Sequence, residues 1–400
     1  MNYKSILNLL GILLVIFSFA FIPPLVVTFI YKETLSEIFL YSFLFLISLG
    51  GLMWFISRQK GLPLNISDGF IITTMFWVVL AFAGSIPFYF FGLSINDAIF
   101  ESVSGITTTG ATLIVGLDDL PKSLLLYRQL LQWIGGMGLI ILAVAVMPAL
   151  GIGGSQLYKM ELPGSHGNQK LTPKITDSAK ALWKIYFGLT LACALLYILS
   201  GMDLFDAIAH SLSTVAGGGF STHDKSIGFF NSGLIEAVCI FFMLLSAASF
   251  AVHYAAIFGG KPLRYFYDTE FRFFLSVVVS IILVTLIFHS VSNSYTDILL
   301  TLRTSIFHTV SIVTTSGFTT ENFSLWPSFL PYLLLVGAFM GACSQSVGGG
   351  IKTWRVLIML NQAYKEILSI IHPNAVLSSK IGDKVIDSKI AEKVWGFFSI

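Results

Sequence analysis

Eight stretches of this chain are each long and apolar enough to cross a bilayer: residues 5–30, 35–57, 69–91, 123–148, 181–201, 230–258, 272–291 and 328–362. About 20 mainly apolar residues suffice to span the hydrocarbon layer. Only 11% of the residues are charged and 55% are hydrophobic, against about 25% charged in a soluble domain. Such a chain cannot cover a soluble surface. Disorder, a collagen-like fibre and a disulfide-built secreted domain are excluded. The net charge of +2 gives no basic field for nucleic acid. Cys193, Cys239 and Cys343 lie in apolar stretches and read as buried thiols. The first stretch is too long for a signal-peptide core and lacks a small-residue cleavage site, so it reads as a retained helix. A ninth stretch opens near Ile390. The expected fold is an all-α polytopic membrane protein.

Orientation follows from Lys and Arg. The amino terminus and every second connection together hold 18 of the 23 basic residues, which makes that side cytoplasmic. The other side carries Glu33, Glu37, Asp97, Glu101, Asp118, Asp119, Asp203, Asp206, Asp224, Asp297 and Glu321 against five bases. These acids read either as a vestibule that concentrates cations or as ordinary outer loops that lack bases.

The three longest outer connections repeat one pattern when aligned on Gly110, Gly219 and Gly317. An isoleucine stands eleven residues before each glycine (Ile99, Ile208, Ile306) and a serine six before it (Ser104, Ser213, Ser311). A Ser or Thr stands eight before and two after. Each segment before the glycine is too short to span and fits a half-helix that enters from outside and turns back. Its negative carboxyl end would point at the membrane centre. The strand that follows would expose carbonyls able to replace the hydration shell of a monovalent cation. The expected filter residues are Thr108, Thr109 and Gly110, then Gly217, Gly218 and Gly219, then Thr315, Ser316 and Gly317. Internal repetition of this kind reads as helix–pore loop–helix units arranged around a central ion pathway. His210 and His308 share the position held by Glu101 in the first repeat and read as packing or hydrogen-bonding residues of the pore helix.

The eighth span holds Gly341-Ala342-Cys343-Ser344-Gln345-Ser346-Val347-Gly348-Gly349-Gly350. Each glycine costs a helix about 1 kcal/mol relative to alanine. The run reads as a helix broken near mid-membrane with its backbone facing a pore. Close helix packing through small residues is the other reading. Lys352 reads as a positive-inside anchor or as a barrier to cations at the inner mouth.

These residues resemble the superfamily of Trk, Ktr and HKT potassium transporters, most closely its Trk-type membrane subunits. The resemblance also rests on Gln132-Trp133-Ile134-Gly135-Gly136-Met137-Gly138, Met160-Glu161-Leu162-Pro163-Gly164, Lys170-Leu171-Thr172-Pro173-Lys174 and Ser344-Gln345-Ser346-Val347-Gly348-Gly349-Gly350-Ile351-Lys352. It implies potassium uptake across the cytoplasmic (inner) membrane, with potassium as substrate and no bound organic cofactor. It implies four pore repeats after two amino-terminal helices, and a gate formed by Gly341, Ser344, Gln345, Gly348, Gly349, Gly350 and Lys352. It further implies a homodimer and a cytoplasmic nucleotide-binding regulatory subunit (TrkA-like). The expected boundaries are 1–60 for the two extra helices, 61–150, 151–260 and 261–389 for three pore repeats, and 390–400 for the opening of a fourth, so the sequence reads as truncated there. Preference for potassium over sodium is implied by the family's glycine at Gly110. The competing function is a secondary transporter of another cation or a small organic solute, but such folds show inverted repeats and these repeats enter from one side. An enzyme is not expected, because no nucleophile–base set or phosphate-binding loop is visible.

Overall fold

The computed structural model describes residues 3–58, 66–146, 175–292, 297–327, 329–374, 380–382, 384–385 and 388–399. Two compact units emerge. The first holds residues 1–246 with 316–323, and the second holds 247–315 with 324–400. The motifs at 160–164 and 170–174 lie outside the described residues.

In the first unit, α1 (Tyr3–Ser18), a 3-10 turn and α2 (Ile22–Tyr31) form one apolar run. Proline is admitted at the start of α2, where helix N–H groups lack partners anyway. Helix α3 (Ser36–Ser57) packs along α1. Their contact is close because a Cβ on Gly11 would lie 2.7 Å from the Gly50 carbonyl oxygen, and the reverse holds for Gly50. Then follow α4 (Ile66–Phe91), the half-helix α5 (Ile95–Ile106) and α6 (Lys122–Val146). The same order recurs as α7 (Ile175–Leu199), the half-helix α8 (Leu204–Ala216) and α9 (Gly233–Ala247).

In the second unit, α10 (Phe250–Ile257) and the short α11 (Arg264–Tyr267) lead to α12 (Thr269–Val291). The half-helix α13 (Ile298–Val313) packs between α12 and α14 (Leu330–Met340). After a non-helical segment comes α15 (Thr353–Ile371). Lys380–Ile381 and Lys384–Val385 form a two-stranded antiparallel hairpin, a small departure from the all-α expectation. The last helix, α16 (Ser388–Ser399), joins the hairpin and α15 in a small core of Ile358, Ile381, Ala391 and Val394.

Among the described residues five helical runs are long and apolar enough to span, six if the pair α9 and α10 counts as one. The expected uninterrupted span at 230–258 is corrected: helix stops at Ala247 and restarts at Phe250, with Ser249 capping the Ala251 N–H. The break at 341–350 is found where the glycines place it. The half-helices have 12, 13 and 16 residues, longer than the expected ten or so. Cys193, Cys239 and Cys343 are buried free thiols.

Candidate ion pathway

Each half-helix starts on a side-chain cap: Ser94 accepts from Asp97 N, Asp203 from Phe205 N and Asp297 from Leu299 N. Each ends at the expected filter. The residue two before each aligned glycine is left-handed: Thr108 at φ 56°, Gly217 at 65° and Thr315 at 61°. Its N–H donates back to Gly105, Thr214 or Ile312. The next N–H, at Thr109 and Gly218, reaches the carbonyls of Ser104 and Ser213. That pattern is the Schellman end of a helix. The recurrent serine six before the glycine therefore marks the carbonyl that closes the cap. The aligned glycines are left-handed again, Gly110 at φ 77°, Gly219 at 78° and Gly317 at 82°. Two left-handed residues separated by one recur in register in all three strands. For threonine this backbone costs roughly 1–2 kcal/mol, so surrounding bonds must hold it.

Within the first unit the strands touch. A Cβ on Gly110 would lie 2.0 Å from the Gly218 carbonyl oxygen, and one on Gly219 would lie 2.0 Å from that of Ser316. Glycine is thus required twice over, by backbone angle and by the neighbouring carbonyl.

Gln132, on α6, holds the second strand. Its Nε2 donates to the Gly218 carbonyl at 2.6 Å. Its Oε1 accepts from Ser213 Oγ at 2.6 Å and from Phe220 N at 3.1 Å. The glycines after it admit the pore helices. A Cβ on Gly135 would lie 1.9 Å from the Ile106 carbonyl oxygen, and one on Gly136 would lie 3.3 Å from Ala216.

Arg128, one turn earlier, pairs with Glu101 at 2.7 Å with both side chains 0% exposed. Arg128 also donates to the Ser221 carbonyl and to Thr112 Oγ1, and Thr112 Oγ1 donates to Glu101. In the second repeat His210 Nε2 bonds Ser221 Oγ at 2.9 Å. The position nine before the glycine thus straps the hydroxyl two after it, by a carboxylate in one repeat and an imidazole in the next. His210 is a hydrogen-bonding residue of the pore helix, as expected.

The outer acids find partners in the structure. Glu101 is buried, Asp203 and Asp297 cap helices, and Glu33 accepts from Lys122 N and Ser123 N at the start of α6. Asp224 accepts from Gly116 N and Leu117 N. Asp118 and Asp206 flank His223, which stacks on Phe229 at 3.5 Å. Burial alone would push the His223 pKa down, but Asp206 and Asp118 raise it above the ordinary imidazole range. The hydrogen bond from His223 in turn holds the Asp118 carboxyl below its ordinary range. Most of these acids fasten helix ends and loops.

In the second unit the segment 341–352 folds back on itself. Gly341, Gln345, Gly350 and Lys352 have positive φ. Ile351 N donates to the Phe339 carbonyl, Ala342 N to that of Gly349, and Thr353 N to that of Ala342. Lys352 Nζ donates to the Gly348 carbonyl. Gly349 N donates to Thr315 Oγ1 at 2.6 Å, so the segment reaches the start of the third strand. Ser344 is buried, and Gly348 packs near the Thr314 carbonyl. Cys343 N donates to the Ala247 carbonyl and Phe250 N to that of Gln345. The two helix breaks therefore exchange backbone hydrogen bonds with each other.

Comparison with known proteins follows this geometry. A family model described as TrkH, cation transport protein, matches residues 35–400. Trk system potassium uptake protein TrkH of Halomonas elongata is 46% identical over 402 residues, covering 100% of this chain and 83% of the relative. The protein of the same name from Escherichia coli is 44% identical with the same coverage. The crystal structure of the potassium transporter TrkH from Vibrio parahaemolyticus superposes with a TM-score of 0.89 at 44% identity, over 100% of this chain and 83% of that one. The repeated pore geometry and these matches place the chain in the TrkH family of cation transport proteins.

Proposed function

We propose that this protein takes up potassium across the cytoplasmic membrane through a path lined by backbone carbonyls. The observation that carries the reading is the pair of left-handed residues repeated in three strands, each at the carboxyl end of a half-helix. Thr108, Thr109 and Gly110, Gly217, Gly218 and Gly219, and Thr315, Ser316 and Gly317 supply the oxygens that replace water around the ion. The half-helix dipoles add negative potential there. Potassium is the substrate, and the relatives' names speak for the same ion.

The gate comprises Gly341, Ser344, Gln345, Gly348, Gly349, Gly350 and Lys352. Its contact with Thr315 supports a barrier on the ion path, and the Lys352 charge opposes a cation at the loop. The repeats run over 61–150, 151–260 and 261–389 after two helices in 1–60, with 390–400 opening another. The distribution of bases supports a cytoplasmic amino terminus. Family membership supports a homodimer and a cytoplasmic nucleotide-binding partner (TrkA-like).

The test is rubidium uptake into proteoliposomes, competed by potassium, sodium and a panel of small organic solutes. Uptake blocked by potassium and indifferent to the solutes is expected. Solute-coupled uptake without rubidium entry would replace the pore by a solute transporter.

A further inference from the structure

We propose that Glu270, in the first turn of α12, is the latch that holds the segment 341–352 in its closed fold; this rests on reading that segment as the gate. A carboxylate in a first helical turn is commonly explained by the helix dipole alone. Here Asp268 already caps α12 by accepting from Phe271 N. One oxygen of Glu270 instead accepts from Ser344 N at 2.5 Å and Trp354 N at 3.1 Å. These donors stand 74 and 84 residues away in sequence. They bracket Lys352 and the glycine run, so a single carboxylate oxygen ties the outgoing and returning limbs of the loop. Other ties across the neck run within the segment and its flanking helices, among them Thr353 Oγ1 to the Gly341 carbonyl, Ile351 N to that of Phe339, Ala342 N to that of Gly349 and Thr353 N to that of Ala342. Bonds to Ala247, Phe250 and Thr315 hold other points of the loop. Glu270 thus couples the loop to the preceding span. One oxygen that accepts from both limbs holds them at a single point, which suits a catch that must hold until it is released.

The loop carries its own reporter. Cys343 adjoins Ser344 and is 1% exposed. In a Cys193→Ala, Cys239→Ala background it is the one remaining thiol. Alkylation by a membrane-permeant maleimide is measured for this protein, Glu270→Ala and Glu270→Gln, with rubidium flux in parallel. Glu270→Ala is expected to speed Cys343 alkylation about tenfold or more, for the loss of both hydrogen bonds. It should also raise maximal rubidium flux with half-saturation and rubidium-over-sodium preference unchanged. Glu270→Gln keeps an acceptor oxygen in place and should stay within about threefold of the parent. An unchanged alkylation rate in Glu270→Ala overturns the latch, as does a Gln variant that behaves like the Ala variant. Flux and melting temperature falling together in both variants also overturn it, since that marks a purely structural residue. Faster alkylation with unchanged flux upholds the latch and overturns the gate reading beneath it.

Discussion

On the proposed filter, replacing Gln132 with leucine should cost discrimination between potassium and sodium before it costs the fold. The side chain is 0% exposed and makes three bonds: to the Gly218 carbonyl, from Ser213 Oγ and from Phe220 N. Leucine fills a similar volume and makes none of them. Each buried polar group left unpaired costs about 1–3 kcal/mol. With the Ser213 hydroxyl free to rotate to another acceptor, two groups stay unpaired, the Gly218 carbonyl and Phe220 N, and the sum is about 2–6 kcal/mol. That load falls on one strand, while the half-helix behind it keeps its Asp203 cap and its own ladder. The strand should shift and take the Gly218 carbonyl away from Gly110, and selectivity by carbonyls depends on their number and placement. Gln132→Glu keeps an acceptor for Ser213 and Phe220 but turns a second acceptor oxygen on the Gly218 carbonyl, so it should disturb the strand at least as much as leucine does. The assay is rubidium influx into proteoliposomes with sodium competition, alongside thermal unfolding in detergent. A folded Gln132→Leu protein with the parent's rubidium-over-sodium ratio would refute the reasoning.

Arg128→Leu strands a buried Glu101 carboxylate and should destabilise by about 3–5 kcal/mol, read as a drop in melting temperature; Arg128→Met with Glu101→Gln should recover most of it. The raised pKa of His223 means that its ion pairs stabilise fully below about pH 6.5 and fade as pH rises through the folded value. The lowered pKa of Asp118 means that its share is lost only as pH falls through that lowered value. The melting-temperature gap between the parent and His223→Gln should therefore be widest in mildly acidic buffer and close towards alkaline pH. Gly350→Ala places a Cβ 2.5 Å from Gly341 Cα at φ 80°, and should wedge the loop neck and raise rubidium flux without altering ion preference. At Gly349 the nearest atom would be Thr315 Oγ1 at 3.2 Å, so Gly349→Ala should change flux less.

Repetition made the shared backbone of the three strands legible. No single Ser/Thr/Gly loop distinguishes itself, but three in register fixed which glycines must share a conformation, and their φ values agree within 5°. What the alignment could not give was the reason for the serine six before the glycine, because its backbone carbonyl does the work and any residue carries one. The acids gave the sequence only a count by side, whereas the structure shows a local task at each, as where Glu33, Asp203 and Asp297 accept N–H groups at helix starts. Gln132 and Arg128 were open to a closer reading, since polar side chains within an apolar span mark constrained positions.

The two helix breaks differ in legibility because they differ in cause. At 341–350 the glycines weaken the helix wherever it sits, so the break is written locally. Between Ala247 and Phe250 stand only alanine and serine, residues that a helix accepts. That break exists because something else takes its backbone: the Ala247 carbonyl receives Cys343 N, and Phe250 N finds the Gln345 carbonyl. One break is intrinsic and the other is induced by docking. If the loop at 341–352 moves when ions pass, residues 247–250 must lose those partners at the same moment. The gate then has two sides, and substitutions at Ser249, which caps the restart of α10, should alter its opening as surely as substitutions in the glycine run.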